Sequence, residues 1–161
     1  MIKFTVGILL VVFTTYCGRC FAKKYRLRKA FFEQADSFNI AFLEELNYTK
    51  RPFEEFSLKG GYSGDFKSLI YDEMKRREMR KTSMLTLEEY SFLTSDERRF
   101  FSEYFAAIGK GDSLSQKAYY SRAENSIKSL KIQAVEECKK HLDLYTKMGF
   151  ILGLAILIIL M

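Results

Sequence analysis

The run MGFILGLAILIILM, residues 148–161, carries no charge and offers no polar face. A helix packed into a soluble core needs polar residues on its outer side. This run has none, so its most economical environment is lipid. Fourteen residues reach only ~21 Å as a helix, short of the ~30 Å hydrocarbon core. Leu144 and Tyr145 extend it if Lys147 snorkels, and a bilayer can thin modestly.

A second apolar run stands near the other end. Residues 4–22, opening FTVGILLVVFTTYCG, would span ~28 Å as one helix, with Arg19 close enough to its end to snorkel. The competing reading is a cleaved signal peptide, since Lys3 precedes the apolar stretch. Against it, the Ala-x-Ala-like exit is poor, and a dense basic run comes next: Arg19, Lys23, Lys24, Arg26, Arg28 and Lys29. These cations, with Lys139, Lys140 and Lys147 before the second run, predict that the middle of the chain lies in the cytosol. The expected organisation is an N-terminal transmembrane helix over residues 1–22, a cytosolic helical bundle over 23–146 and a C-terminal transmembrane helix over 147–161.

The middle reads as all-α. Leu27, Phe31, Ala35, Phe38, Phe42 and Leu46 recur at steps of three and four, which makes one apolar helix face. Pro52 disfavours helix at Arg51 and can open a short helix at the first helical position, Phe53 to Leu58. KGGYSG marks a loop, after which helix resumes around DFKSLIYDEMKRREM. Thr86 with Glu89 and Thr94 with Glu97 form two candidate capping boxes. The first predicts a short helix over residues 87–92. The second starts a helix that Gly109 can end in a left-handed cap. Tyr120, Ala123, Ile127, Leu130, Ala134, Cys138, His141 and Tyr145 then keep heptad-like spacing, so two long helices are expected to pair across the Gly109 hairpin. The fold expected is an antiparallel bundle of about six helices flanked by the two spans, with no strand alternation.

Reactive constellations are absent from this pattern. Cys17 and Cys20 have dithiol spacing, but the third cysteine leaves no zinc set and no βαβ context surrounds them. His141 is the single histidine and sits at a seam position. GGYSGD lacks the Gly-Lys-Ser/Thr end of a phosphate loop. The adjacent pairs Glu44 and Glu45, Glu54 and Glu55, Glu136 and Glu137 diverge by ~100° on a helix. No catalytic, metal or cofactor site is therefore expected, and no nucleic-acid or small-molecule partner. The densest single-sign surface is Lys75, Arg76, Arg77, Arg80 and Lys81, which reads either as a solvated face near anionic headgroups or as the docking face for an acidic protein partner. In the turn after Gly109, Asp112 or Ser113 can cap the next helix, and Ser113 with Gln116 fits a capping box.

The stretch IGKGDSLSQKAYYSRAENSIKSL, continuing into the charge-free end, resembles stage III sporulation protein AB. The turn reads Ile108-Gly109-Lys110-Gly111-Asp112 with Gln116 at the family's offset, and Met148-Gly149 opens the last span. Upstream, LTSDERRFF fits through Thr94, Asp96 and Glu97, and LEELNYTKRPFEEF resembles the stretch before the family's short second helix. Phe105 stands where the family often has a second glycine, and Gly111 where it has Ser. The resemblance implies a soluble part like the cytoplasmic domain of type II secretion platform proteins. It implies a membrane scaffold on the mother-cell side during endospore formation, with sibling stage III sporulation proteins, including the AA ATPase, and the lipid bilayer as partners. Two rival functions fit the same residues: a platform protein of a general secretion or pilus system, and a membrane-tethered signalling adaptor.

Overall fold

The computed structural model describes residues 2–48, 51–79 and 85–160 of the 161. It is all-helical: α1 Ile2–Phe21, α2 Lys23–Tyr48, α3 Phe53–Lys59, α4 Gly64–Glu78, α5 Ser95–Ala107 and α6 Ser113–Leu160. The chain divides into two compact units. One is residues 1–29 with 133–161, and the other is residues 30–132. These units join the two ends into one body and cut α2 and α6, whereas hydropathy breaks alone put the boundaries after residues 22 and 146.

In the 30–132 unit, the core is aromatic. Phe31, Phe32, Ala35, Phe38 and Phe42 of α2 are buried. Phe38 lies within ring-contact distance of Phe42, Phe53, Phe56, Tyr62, Phe66, Tyr104 and Phe105, mostly at steep interplanar angles. Edge-to-face geometry places the positive ring edge on the negative face, so these pairs add to the transfer free energy of burial. Phe105 is fully buried and serves as a core plug. A polar network runs through this apolar interior. Tyr104 Oη donates to Asn39 Oδ1 at 2.8 Å, Asn39 Nδ2 donates to the Tyr120 carbonyl at 3.3 Å, and Tyr120 Oη donates to the Tyr104 carbonyl at 3.2 Å. Burial pushes both phenol pKa values up, so the hydroxyls remain donors.

Local signals set most helix ends. Thr94 Oγ1 accepts from Glu97 N at 3.3 Å, and the Glu97 carboxylate accepts from Thr94 N at 2.8 Å, which completes the capping box of α5. Pro52 stands just before α3 as its N-cap residue. The expected helix over residues 87–92 is instead a pair of successive tight turns, with Tyr90 N on the Leu87 carbonyl and Leu93 N on that of Tyr90. Leu87, Tyr90, Phe92 and Leu93 are all buried, which the two turns achieve within seven positions. The long helices that pair here are α2 and α6, antiparallel, through Phe42 with Tyr120 and Asp36 with Lys131. The Gly109 hairpin joins α6 to a helix of only 13 residues.

In the unit of the two ends, α1 and the last part of α6 approach closely. A methyl group added to Gly18 would collide with the Tyr145 carbonyl oxygen. At Gly149 it would stand 2.6 Å from the carbonyl oxygen of Thr14, and at Gly153 2.7 Å from Val11 Cα. Gly149 and Gly153 form a G-x-x-x-G pair, the spacing that lets helices meet backbone to backbone in lipid. The hydroxyls of Thr14 and Thr15 bond back to carbonyls of their own helix, so neither is left unsatisfied in an apolar setting. Beyond this seam, Arg28 pairs with Glu137, and Tyr25 stacks on His141 at 3.9 Å between ring centroids.

Candidate partner-docking site

Of the residues singled out for docking, Arg77 reaches the C-terminal end of α5, beside the Gly109 turn. Helix α4 buries Phe66, Leu69 and Ile70, and Glu73 falls on the same stripe, 0% exposed. A carboxylate there must be neutralised, because desolvating an unpaired charge is very costly. Arg76 donates to both Glu73 oxygens at 2.6 and 2.7 Å, and Arg77 Nε donates to Oε1 at 2.6 Å. Arg77 is 23% exposed and continues to α5, where Nη2 donates to the carbonyls of Phe105 and Ile108 at 3.0 and 3.1 Å. The Phe105 carbonyl also accepts from Ile108 N at 3.2 Å, and the Arg77 cation complements the dipole at this helix C-terminus. The guanidinium also lies 4.7 Å from the centroid of Phe53.

The basic cluster therefore separates into parts. Arg76 and Arg77 turn inward onto Glu73, and Lys75 is exposed. Arg80 and Lys81 lie outside the described residues.

The turn after α5 is held by its own side chains. Gly109 and Gly111 have φ of +79° and +83°, conformations that favour glycine. Asp112 precedes α6 and caps it: hydrogen bonds from Ser115, then from backbone amides there, hold its carboxyl below the usual range. Gln116 does not close a box with Ser113. Its amide bridges the turn, accepting from Gly109 N and donating to the Gly111 carbonyl, each at 3.4 Å. Ser113 is exposed.

Arg77, Gly109, Ser113 and Gln116 line one cleft of about 310 Å³, with Phe42, Leu46, Pro52, Phe53 and Ile108 as its apolar surface and Arg51 and Glu54 at its edge. Arg51 is itself fixed by buried Glu45, with contacts of 2.5 to 3.1 Å that hold the Glu45 carboxyl below its ordinary value. Such a surface, apolar with two oriented guanidinium groups, suits a short protein segment bearing an apolar residue beside an acid.

The other candidates stay apart. Cys17, Cys20 and Cys138 are free thiols, and no cluster of three metal-ligating side chains occurs among the described residues. Glu45, Glu55 and Glu137 engage Arg51, Lys59 and Arg28 respectively, which takes one member of each acidic pair into an ion pair. Glu73 escaped sequence reasoning, although it continues the Phe66, Leu69, Ile70 stripe of α4. Gly153 escaped as well, although G-x-x-x-G within an apolar run is a readable signal.

Comparison with known proteins gives one family. The family model for stage III sporulation protein AB matches residues 3–161. No curated protein and no solved structure matches.

Proposed function

Because the chain belongs to the stage III sporulation protein AB family, we propose that it is a non-enzymatic membrane platform subunit of a secretion-like apparatus for endospore formation. The two ends anchor it in the cell membrane. Leu9, Phe13, Ile158 and Ile159 are more than 60% exposed on the paired helices, an apolar surface that is unfavourable in water and well solvated by lipid. Among the described residues, one helix, Ser113–Ile159, contains a stretch long and apolar enough to cross a membrane, and Leu9–Phe21 is a shorter apolar helix. The 30–132 unit then faces the cytosol on the mother-cell side, the orientation that the flanking cations favour.

The observation that carries the docking role is the cleft where Arg77, the Gly109 turn and Gln116 meet. It offers a cytosolic ATPase, or a sibling subunit, an apolar slot edged by two guanidinium groups held in place by Glu45 and Glu73. Lys75 is exposed on α4, and with Arg80 and Lys81 of the sequence it adds positive charge that acts on encounter rate more than on final affinity. Arg76 and Arg77 are poor choices for a test, since both neutralise Glu73. The informative variants are Lys75→Glu with Arg80→Glu and Lys81→Glu, and separately Gln116→Leu. The expected result is at least tenfold weaker capture of the AA ATPase and fewer spores, with unfolding unchanged for the charge variant. Unaltered ATPase binding and unaltered sporulation in both variants would discard the docking surface.

A further inference from the structure

A second cleft, of about 400 Å³, lies between α1–α2 and α6 in the unit of the two ends. Its walls are Arg19, Arg26, Leu142, Asp143, Thr146 and Lys147. Its position is set twice over by sequence. Arg19 stands in the last turn of α1, and Lys147 immediately precedes the charge-free run from residue 148. Both apolar helices therefore end at the level of this cleft. Arg26 is seven residues further along, yet its Nη2 donates to the Arg19 carbonyl at 3.4 Å, so the side chain folds back about two turns towards the apolar end.

Three cations thus face one volume against one acid, and among the described residues no ion pair joins any of the three to a carboxylate. Elsewhere in the molecule the guanidinium groups of Arg28, Arg51, Arg76 and Arg77 are paired with acids. Three cations against the single carboxylate of Asp143 leave a positive excess that calls for an anion from outside. The geometry points to a site for the phosphate group of an anionic phospholipid, held by Arg19 and Arg26 as forked donors and by Lys147 as a point charge, with the Thr146 hydroxyl as a further donor. Basic pockets between membrane helices on the cytosolic side suit such headgroups. Free phosphate satisfies the same donors, but the apolar helix surfaces beside the cleft add contacts only for a lipid with acyl chains. This inference rests on the membrane reading above.

The test uses the full chain purified in mild detergent, with native mass spectrometry reading the lipid that remains bound. Phosphatidylglycerol, phosphatidylcholine and inorganic phosphate are supplied in turn. Phosphatidylglycerol should be retained over phosphatidylcholine, and inorganic phosphate should displace it poorly. Arg19→Gln, Arg26→Gln and Lys147→Gln together should weaken retention on the order of 100-fold, from about 1 kcal/mol per cation. Lys23→Gln, Lys24→Gln and Lys140→Gln remove the same charge outside the cleft and should weaken it only a few-fold. Arg19→Lys with Arg26→Lys keeps the charge but loses the fork and should weaken retention less than the glutamine triple, which separates lost charge from lost fold. Equal weakening by the two glutamine triples, equal retention of both lipids, or full displacement by inorganic phosphate each overturns the site. Extraction of the wild-type chain from membranes by alkaline carbonate overturns the membrane reading beneath it. A chain that resists carbonate but shows no lipid preference overturns the site alone.

Discussion

Glu73 shows how one residue ties several parts of the docking region together. Its carboxylate is out of water and satisfied by two guanidinium groups, one of which also caps α5. Glu73→Ala should cost about 3–5 kcal/mol in urea unfolding, because two partly buried arginines lose their counter-charge at once. Tyr104→Phe removes a single hydroxyl from the Asn39 network and should cost about 1–2 kcal/mol by the same measurement. Acidification supplies a third prediction. Glu45 and Asp112 both have carboxyl pKa values depressed in the folded chain, below ordinary values of 4.5 and 3.8. The stability they lend is complete above those ordinary values and disappears as pH falls through the folded ones. Thermal unfolding measured from pH 6 downward should show an acid loss beginning below about 4.5, and Glu45→Gln with Asp112→Asn should flatten it. Of these roles only the Asp112 cap is visible in the sequence as a motif. Acid and base counts say nothing about which side of a helix a charge faces, so Arg76 and Arg77 read as surface although they point inward.

At the scale of elements, periodicity and caps carried most of the fold. The α2 face holds from Phe31 to Phe42, though it is broader than apolar spacing suggests, because Asn39, Asp36 and Glu45 are buried beside it. Leu27, at the end of the same pattern, is exposed. The Thr94 and Glu97 box marks the start of α5 as it stands in the chain. The equivalent pattern at Thr86 failed, since a cap satisfies a helix end but cannot supply the turns behind it. What decides there is tertiary: four apolar side chains in seven positions are each buried through tight turns. The α1–α6 seam makes its own prediction. Gly149→Leu should force the helices from backbone contact towards the ordinary interaxial spacing of about 8–10 Å. Spin-label distances between Val12 and Ile151 in a lipid disc would report the widening, while Leu152→Ala should leave them unchanged.

Over the whole molecule, composition was informative in one respect and silent in another. The chain has fifteen Phe and ten Tyr, and the structure gathers several of them in ring-to-ring packing about Phe38. Phe38→Ala should cost about 3–5 kcal/mol in denaturant unfolding, since the space left would be walled by rings that cannot collapse into it. Hydropathy located the two apolar ends but could not say that they pair, because pairing is a property of facing glycines and not of mean apolarity.

That pairing leaves a mark on how the protein is made. The first half of the end unit leaves the ribosome roughly 100 residues before the second half, about 5 to 20 s at ordinary elongation rates. For that interval Gly7 and Gly18 have no helix to receive them, and the nascent chain depends on whatever holds a solitary apolar segment during insertion. Asp36 meeting Lys131 at 2.7 Å then draws the two halves' neighbouring residues together, which shortens the search the late segment must make. Slow translation through the middle of the gene would lengthen the wait without altering a single contact in the finished protein.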